Sequence, residues 1–331
     1  MRAIVCRAHD DASVSLDEVP APPMIERGVR IGIRLIGVSF ANQLVLEGKH
    51  QNTPPLPFIP GTEVAGVVLA CAPDVTAVAV GDRVAAGTRS GGWATEVVAP
   101  ESTVYRLPDA VSFEQAVHFP TIYATAYAAL KWRAAVRPGE VVLVHGAGGG
   151  SGLAAVELAR CLGATVIATA GSAQKLAAAR EHGAQVLINL AEGGFREAVL
   201  QATGGRGADV IFDPVGGEVF DESLRCIAPD GRIIPMGFAG GRIPQIPANQ
   251  VLIRNITVIG LYWGYYVGWG RALPPPGTDA RVREAFAEMF DWCAQGRLRP
   301  RTWVTYPMAG FREALTAITS RQVIGRVALQ P

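Results

Sequence analysis

The run Val141-Val142-Leu143-Val144 passes directly into His145-Gly146-Ala147-Gly148-Gly149-Gly150-Ser151-Gly152-Leu153. Consecutive apolar residues read as a strand buried on both faces, the glycines as a tight turn, and Leu153 onward as a helix. This order aims the backbone N–H groups of a helix N-terminus at the turn, the geometry that holds a dinucleotide pyrophosphate. Aligned on the turn, Ala147, Gly149 and Gly152 take the three positions of the G-x-G-x-x-G fingerprint, with Ala in place of the first Gly. Gly149 and Gly150, followed by Ser151, leave the backbone open to phosphate, and Gly152 lets the helix pack on the strand. A glycine loop alone is often no more than a tight turn, so its surroundings decide.

Those surroundings repeat the pattern. Strand-like runs follow at 165–169, 185–188, 209–212, 232–236 and 256–261, with helix-like segments at 153–162, 173–182, 195–203 and 218–227. Short apolar strands alternating with crossovers predict an α/β fold with a doubly wound, six-stranded parallel sheet. Gly163 and Gly183 stand where helix ends need a left-handed residue. The dinucleotide-binding domain is placed at 121–264. The chain of 331 residues leaves enough on either side for one further domain. The front part has short β-type runs at 31–36, 64–70, 83–85 and 94–98, broken by Gly and Pro, which suits a small irregular β-barrel. The last run, 325–329, returns to it, so residues 1–120 and 265–331 form the second domain.

Composition sets limits. The formal charge is +1, with no basic stripe, so neither a nucleic acid nor an anionic membrane finds electrostatic support. The first ten residues lack an apolar core of signal-peptide length, no run approaches a transmembrane span, and a cytoplasmic protein is expected. Five scattered cysteines argue against a disulfide framework.

Several landmarks then fall in one order: Gly37-Val38-Ser39-Phe40-Ala41-Asn42, Pro60-Gly61-Thr62-Glu63-Val64-Ala65-Gly66, Gly81-Asp82-Arg83-Val84, the glycine loop, Phe212-Asp213-Pro214-Val215-Gly216-Gly217, 236–242 and Ile324-Gly325-Arg326-Val327. In these the chain resembles the medium-chain dehydrogenase/reductase superfamily, and within it the zinc-free NADPH:quinone oxidoreductases related to zeta-crystallin. The resemblance implies a Rossmann domain beside a GroES-like catalytic barrel, NADPH as cofactor, a small-molecule quinone or enone as substrate, and a homodimer. It puts the pocket at Ser39, Asn42, Leu44, His50, Thr125, Tyr127 and the loop Gly237-Phe238-Ala239, with Tyr262 and Trp263 nearby, and Gly325 and Arg326 on the cofactor. Where family members commonly carry Asn, Asp, Tyr and Tyr, this chain has Ser39, Asn42, Leu44 and His50. It also has Asn189-Leu190 where the family often has Asn-Tyr.

Cofactor choice turns on the end of the second strand of the sheet. An NAD site usually places Asp or Glu about 20 residues past the glycines, whereas here the strand ends Ala168-Thr169-Ala170-Gly171-Ser172. Ser172 can donate to a 2′-phosphate and Lys175 follows one helical turn later. Alternatively, Ser172 caps a helix and Lys175 is a solvated surface residue. The zinc enzymes of the superfamily need a Cys near 40, Gly-His-Glu near 62 and a four-cysteine loop. This chain has Asn42, Thr62-Glu63 and no cysteine between Cys71 and Cys161, so no metal is expected. Without a Lewis acid, hydride suits acceptors that spread charge by conjugation, such as quinones and enones. Enoyl-thioester or 2-alkenal reduction, or NADPH binding with little turnover, are the competing functions. Asn42, Thr125 and His50 are the candidate catalytic residues. Each has a plainer role: Asn42 as a helix cap, Thr125 bonded to its own helix, His50 on the surface. His145 is expected to be structural.

Overall fold

The computed structural model describes residues 1–331. The chain divides into two compact units, one of Met1–Thr121, Gly264–Gly296 and Pro300–Pro331, the other of Ile122–Trp263 with Arg297–Arg299. Seven strands come first: β1 (Arg2–Cys6), β2 (Val14–Glu18), β3 (Gly28–Val38), β4 (Glu63–Cys71), β5 (Arg83–Gly87), β6 (Glu96–Pro100) and β7 (Val104–Arg106). The second unit contributes β8 (Val141–Val144), β9 (Thr165–Ala170), β10 (Val186–Asn189), β11 (Ala208–Asp213), β12 (Ile227–Pro235) and β13 (Thr257–Val258). Two more, β14 (Thr302–Pro307) and β15 (Arg326–Gln330), complete the first unit.

The first unit holds a seven-stranded sheet ordered β14-β15-β3-β4-β5-β7, with β6 also on β3, and a separate β1-β2 hairpin. Strand β3 is the hinge of this sheet. Residues 36–38 pair with β15 and residues 28–32 with β6, while β4 runs along its other edge with two register shifts. Such bulges bend a strand and let one sheet curl around a single core. That core comprises Ile4, Ile31, Ile36, Val64, Val84, Trp93, Phe311 and Leu329 among others. Two helices the sequence reading did not place, Thr278–Ala294 and Phe311–Thr319, belong to this unit. The first of these stacks Phe286 on Tyr105 with centroids 3.4 Å apart.

The second unit is a six-stranded sheet in the order β10-β9-β8-β11-β12-β13, every pairing parallel. This is the doubly wound α/β architecture expected from the alternating runs, with the GroES-type unit beside it in the chain. Strand β8 lies between β9 and β11, so the chain turns to opposite sides after it, and a crevice opens at the carboxyl ends of these strands. Gly163 and Gly183 adopt the left-handed conformation that ends the preceding helices.

Three local expectations shift. The helix placed at 218–227 ends at Ser223, because Ile227 already bridges Ala208 in β12 before the register breaks. Asp230 then turns through φ 58° and pairing resumes at Arg232. The sixth strand shrinks to Thr257–Val258, and a helix, Ala248–Arg254, fills the loop before it.

Candidate functional site

Strand β8 ends on a buried histidine. His145 Nδ1 lies 2.8 Å from Thr169 Oγ1 and Nε2 lies 2.9 Å from Ser223 Oγ. Ser223 donates its own proton to Val219 O, so it must accept from Nε2–H, and Nδ1 accepts from Thr169. Burial pushes the imidazole pKa down to about 3, which keeps it neutral. As expected, the ring is structural: it joins the ends of β8 and β9 to the helix Gly217–Ser223.

The glycine turn follows. Ala147 N–H donates to Thr169 O and Gly149 N–H to Gly146 O. The helix Gly150–Cys161 begins with Gly149 as a cap that offers no side-chain acceptor, so its first amides are left for a ligand. A Cβ on Gly152 would sit 2.2 Å from Gly146 O, so only glycine fits there. A Cβ on Gly149 would meet nothing closer than 3.5 Å, which leaves that face of the loop open. Ser151 is in the helix's first turn.

At the end of β9, Ser172 Oγ accepts from Lys175 N–H at 3.4 Å, a long cap that leaves the hydroxyl proton free to donate. The Lys175 stem lies against the glycine loop. A Cβ added to Gly148 would be 2.4 Å from Lys175 Cβ, which puts the half-buried lysine stem beside the glycine loop. No carboxylate stands at 168–172.

Two further loops meet the same strand ends. Asp213 closes β11 and is wholly buried. Its Oδ1 accepts from the amides of Val215 and Gly216 at 2.8 and 3.0 Å, while Oδ2 has no partner. Burial raises its pKa above the usual carboxylate range, opposed by the two amide bonds. The carbonyls of Pro214 and Val215 accept from Ala239 and Gly240, and Met236 donates to Asp213 O. Phe238 stands half exposed on this loop after Gly237. The sequence reading quoted this motif yet passed over Asp213. A carboxylate directly ahead of Pro-Val-Gly-Gly, at the end of an apolar strand, was the available signal.

Thr125 lies half-buried in the helix Ala124–Tyr127 of the second unit. Tyr127, expected on the pocket wall, is buried with its ring edge-on to Trp132. Trp263 is likewise packed against Trp132, whereas Tyr262 is exposed.

In the first unit, Ser39 and Asn42 close a capping box on the helix Phe40–Leu46. Asn42 Oδ1 accepts from Ser39 N–H at 2.7 Å and Ser39 Oγ–H at 3.0 Å. Ser39, not Asn42, is thus the cap, with Asn42 its partner inside the helix, and because the oxygen must face the Ser39 amide, the NH₂ is the end left to donate. His50 Nδ1 accepts from Asn52 N–H, and partial burial lowers the ring's pKa. Leu44 is half-buried, and its carbonyl accepts the amides of Lys49 and His50. Gly325 has φ 87°, and a Cβ there would strike Arg301 O. The Arg326 guanidinium, expected on the cofactor, is buried and ion-paired with Glu63.

The chain is similar to known proteins along its length. Residues 26–109 match the alcohol dehydrogenase GroES-like domain family and residues 150–274 match the zinc-binding dehydrogenase family. Quinone oxidoreductase-like protein 2 of Rattus norvegicus is 37% identical over 329 residues, covering 99% of this chain and 91% of the relative. The chain belongs to the quinone oxidoreductase-like family. It is thus an oxidoreductase-type member of the medium-chain dehydrogenase/reductase superfamily. Among solved structures, the Escherichia coli quinone oxidoreductase complexed with NADPH superposes with a TM-score of 0.90 at 27% identity, over 100% of both chains. A mycobacterial protein complexed with NADPH gives a TM-score of 0.91 at 29% identity, again over 100% of both.

The zinc that one family description implies does not fit this chain. No three His, Cys, Asp or Glu side chains converge. Asn42 and Thr62 stand where the zinc enzymes need Cys and His, and Glu63 is engaged by Arg326 and Thr121. No helix is long and apolar enough to cross a membrane.

Proposed function

We propose that this chain is a zinc-independent reductase that uses NADPH to reduce quinones or conjugated enones. The observation that carries the reading is the pairing of an uncapped helix N-terminus behind the glycine turn with a carboxylate-free β9 end where Lys175 lies on Gly148. Solved relatives named as NADPH complexes support it. In this reading Gly150, Ser151 and Gly152 offer amides to the pyrophosphate, Gly149 leaves its face of the loop open to it, and Ala147 gives the turn its tight start. Ser172 and Lys175 hold the 2′-phosphate by charge-assisted hydrogen bonds. Gly237, Phe238 and Ala239 line the nicotinamide, and Gly325 is assigned to the cofactor. Bound NADPH supplies hydride.

What remains for the protein is placement and weak polarisation. Asn42 presents N–H donors and Thr125 a hydroxyl, both suited to an oxygen whose charge is already delocalised. His50 is the candidate proton donor, with water as the alternative, and the burial that lowers its pKa works against the protonated form and favours water. We also propose a cytoplasmic homodimer joined along β13. Ile243, Ile246, Leu252 and Ile253, between β12 and β13 in the chain, are exposed in the isolated protomer, and the five cysteines form no disulfide.

Stopped-flow NADPH oxidation over quinones, enones, 2-alkenals, acyl thioesters and saturated ketones is the test, with the metal content of the protein measured alongside. Quinones or enones should turn over in metal-free protein. Preference for an enoyl thioester or alkenal would transfer the reading to those acceptors. Binding of NADPH without turnover would make the chain a binder. Efficient reduction of a saturated ketone, or one zinc per chain, would overturn the proposal.

A further inference from the structure

Asp213 is a carboxylate that the fold buries at a cost, because a buried oxygen without a partner forfeits its hydration. Its neighbours show what the other oxygen achieves. Through Oδ1 it draws the amides of Val215 and Gly216 back onto the end of β11. This closes the turn 213–216 and directs the carbonyls of Pro214 and Val215 outward, where they accept from Ala239 and Gly240. The two loops are also in steric contact. Gly216 has φ 69°, and a Cβ on it would lie 3.1 Å from Arg242 O and 3.2 Å from the Phe238 ring. On the other side, a Cβ on Gly146 would lie 3.5 Å from Pro214 Cγ, so the same turn abuts the glycine loop. A displacement of the turn therefore passes to Phe238 without crossing any flexible segment.

We propose that Asp213 is a positioning residue for hydride transfer: its carboxylate latches the 213–216 turn, and the turn carries the 237–240 loop against the nicotinamide. The proposal rests on the NADPH reading above for the identity of that ligand. The latch itself is a property of the unliganded chain. It needs an acceptor oxygen at Oδ1 and no negative charge, so Asn at 213 preserves it and Ala removes it.

The experiment has two arms. In the first, amide hydrogen exchange is followed in unliganded protein. Asp213→Ala should speed exchange at Val215, Gly216, Ala239 and Gly240 about tenfold or more, with Ala147 and Leu153 unchanged, while Asp213→Asn stays within about threefold of wild type. In the second, Asp213→Ala should bind 2′,5′-ADP within about twofold of wild type, since that probe lacks nicotinamide. Its kcat for NADPH oxidation should fall about tenfold or more, and Asp213→Asn should restore it. If Asp213→Ala fails to fold, Gly216→Ala replaces it. That change presses the same turn into Arg242 and Phe238 and should give the same loop-confined exchange and the same kcat loss. Unchanged exchange at Ala239 and Gly240 in Asp213→Ala, or in its replacement, overturns the latch. So does an Asn variant as impaired as the Ala variant. If wild-type protein binds no 2′,5′-ADP, the NADPH reading fails, and the exchange arm still judges the latch.

Discussion

Glu63 and Arg326, 263 positions apart in the chain, form an ion pair whose side chains are both almost wholly buried in the first unit. The hydroxyl of Thr121 donates to the second carboxylate oxygen. A Cβ on Gly37 would lie 2.5 Å from Glu63 Oε1, so glycine on β3 makes room for the pair. Burial pushes the guanidinium pKa down to about 9, still well above neutrality, so Arg326 is charged at pH 7. Removing one partner strands the other's charge in the core. Glu63→Gln should therefore destabilise the protein by about 3–5 kcal/mol, whereas joint replacement by Glu63→Leu and Arg326→Met should recover much of that. Thermal unfolding decides: a Glu63→Gln midpoint equal to wild type would show the pair to be dispensable.

That pair also marks where reading the sequence stops. The parallel sheet was legible because its strands are apolar on both faces and are punctuated by left-handed glycines, both local signals. Arg326 was placed on the cofactor, and nothing in its neighbourhood in sequence could reveal a partner on β4. The helix Thr278–Ala294 was missed although Val282, Ala285, Phe286, Met289, Phe290 and Cys293 are buried at helical spacing. Asn42 shows the intermediate case: a role at a helix start is readable from its residue type, but only the structure shows Ser39 as the cap and an amide orientation that leaves the donor end available.

Lys175 carries the cofactor assignment. If its ammonium pairs with a 2′-phosphate, Lys175→Ala should weaken NADPH by roughly 1.5–3 kcal/mol and leave NADH nearly unchanged. Fluorescence titration with both cofactors measures this. Equal losses for the two would remove Lys175 from the phosphate site.

Two histidines set an acid limit on stability. Burial holds His118 and His145 each at a pKa of about 3 in the folded chain, against about 6.5 when unfolded. Between these values the unfolded chain binds more protons, so stability is fully present above pH 6.5 and is lost as pH falls toward 3. Each contributes a slope of up to about 1.4 kcal/mol per pH unit, while Asp213, shifted upward, acts in the opposite sense. Urea midpoints should drop steadily from pH 7 to pH 5, and His118→Gln should flatten the decline by about half. Equal midpoints at pH 7 and pH 5 would contradict the burial of neutral imidazoles.

Asn42 allows capping and catalysis to be separated by one substitution. Its Oδ1 holds the start of the helix Phe40–Leu46 through Ser39, and its NH₂ is the donor proposed to meet substrate. Asn42→Asp keeps an oxygen for the Ser39 amide and hydroxyl and adds a negative charge in the first helical turn, where the helix dipole favours it. It removes every N–H donor. Asn42→Ala removes both functions and should cost about 1 kcal/mol of stability. If the donor orients the acceptor oxygen, kcat/KM for quinone should fall about tenfold or more in both variants, equivalent to about 1.4 kcal/mol. Only Asn42→Ala should also lower the thermal midpoint. An Asp variant with wild-type kcat/KM would leave Asn42 a partner of the Ser39 cap and nothing more, and the oxygen of the acceptor would have to be held by Thr125 or by water.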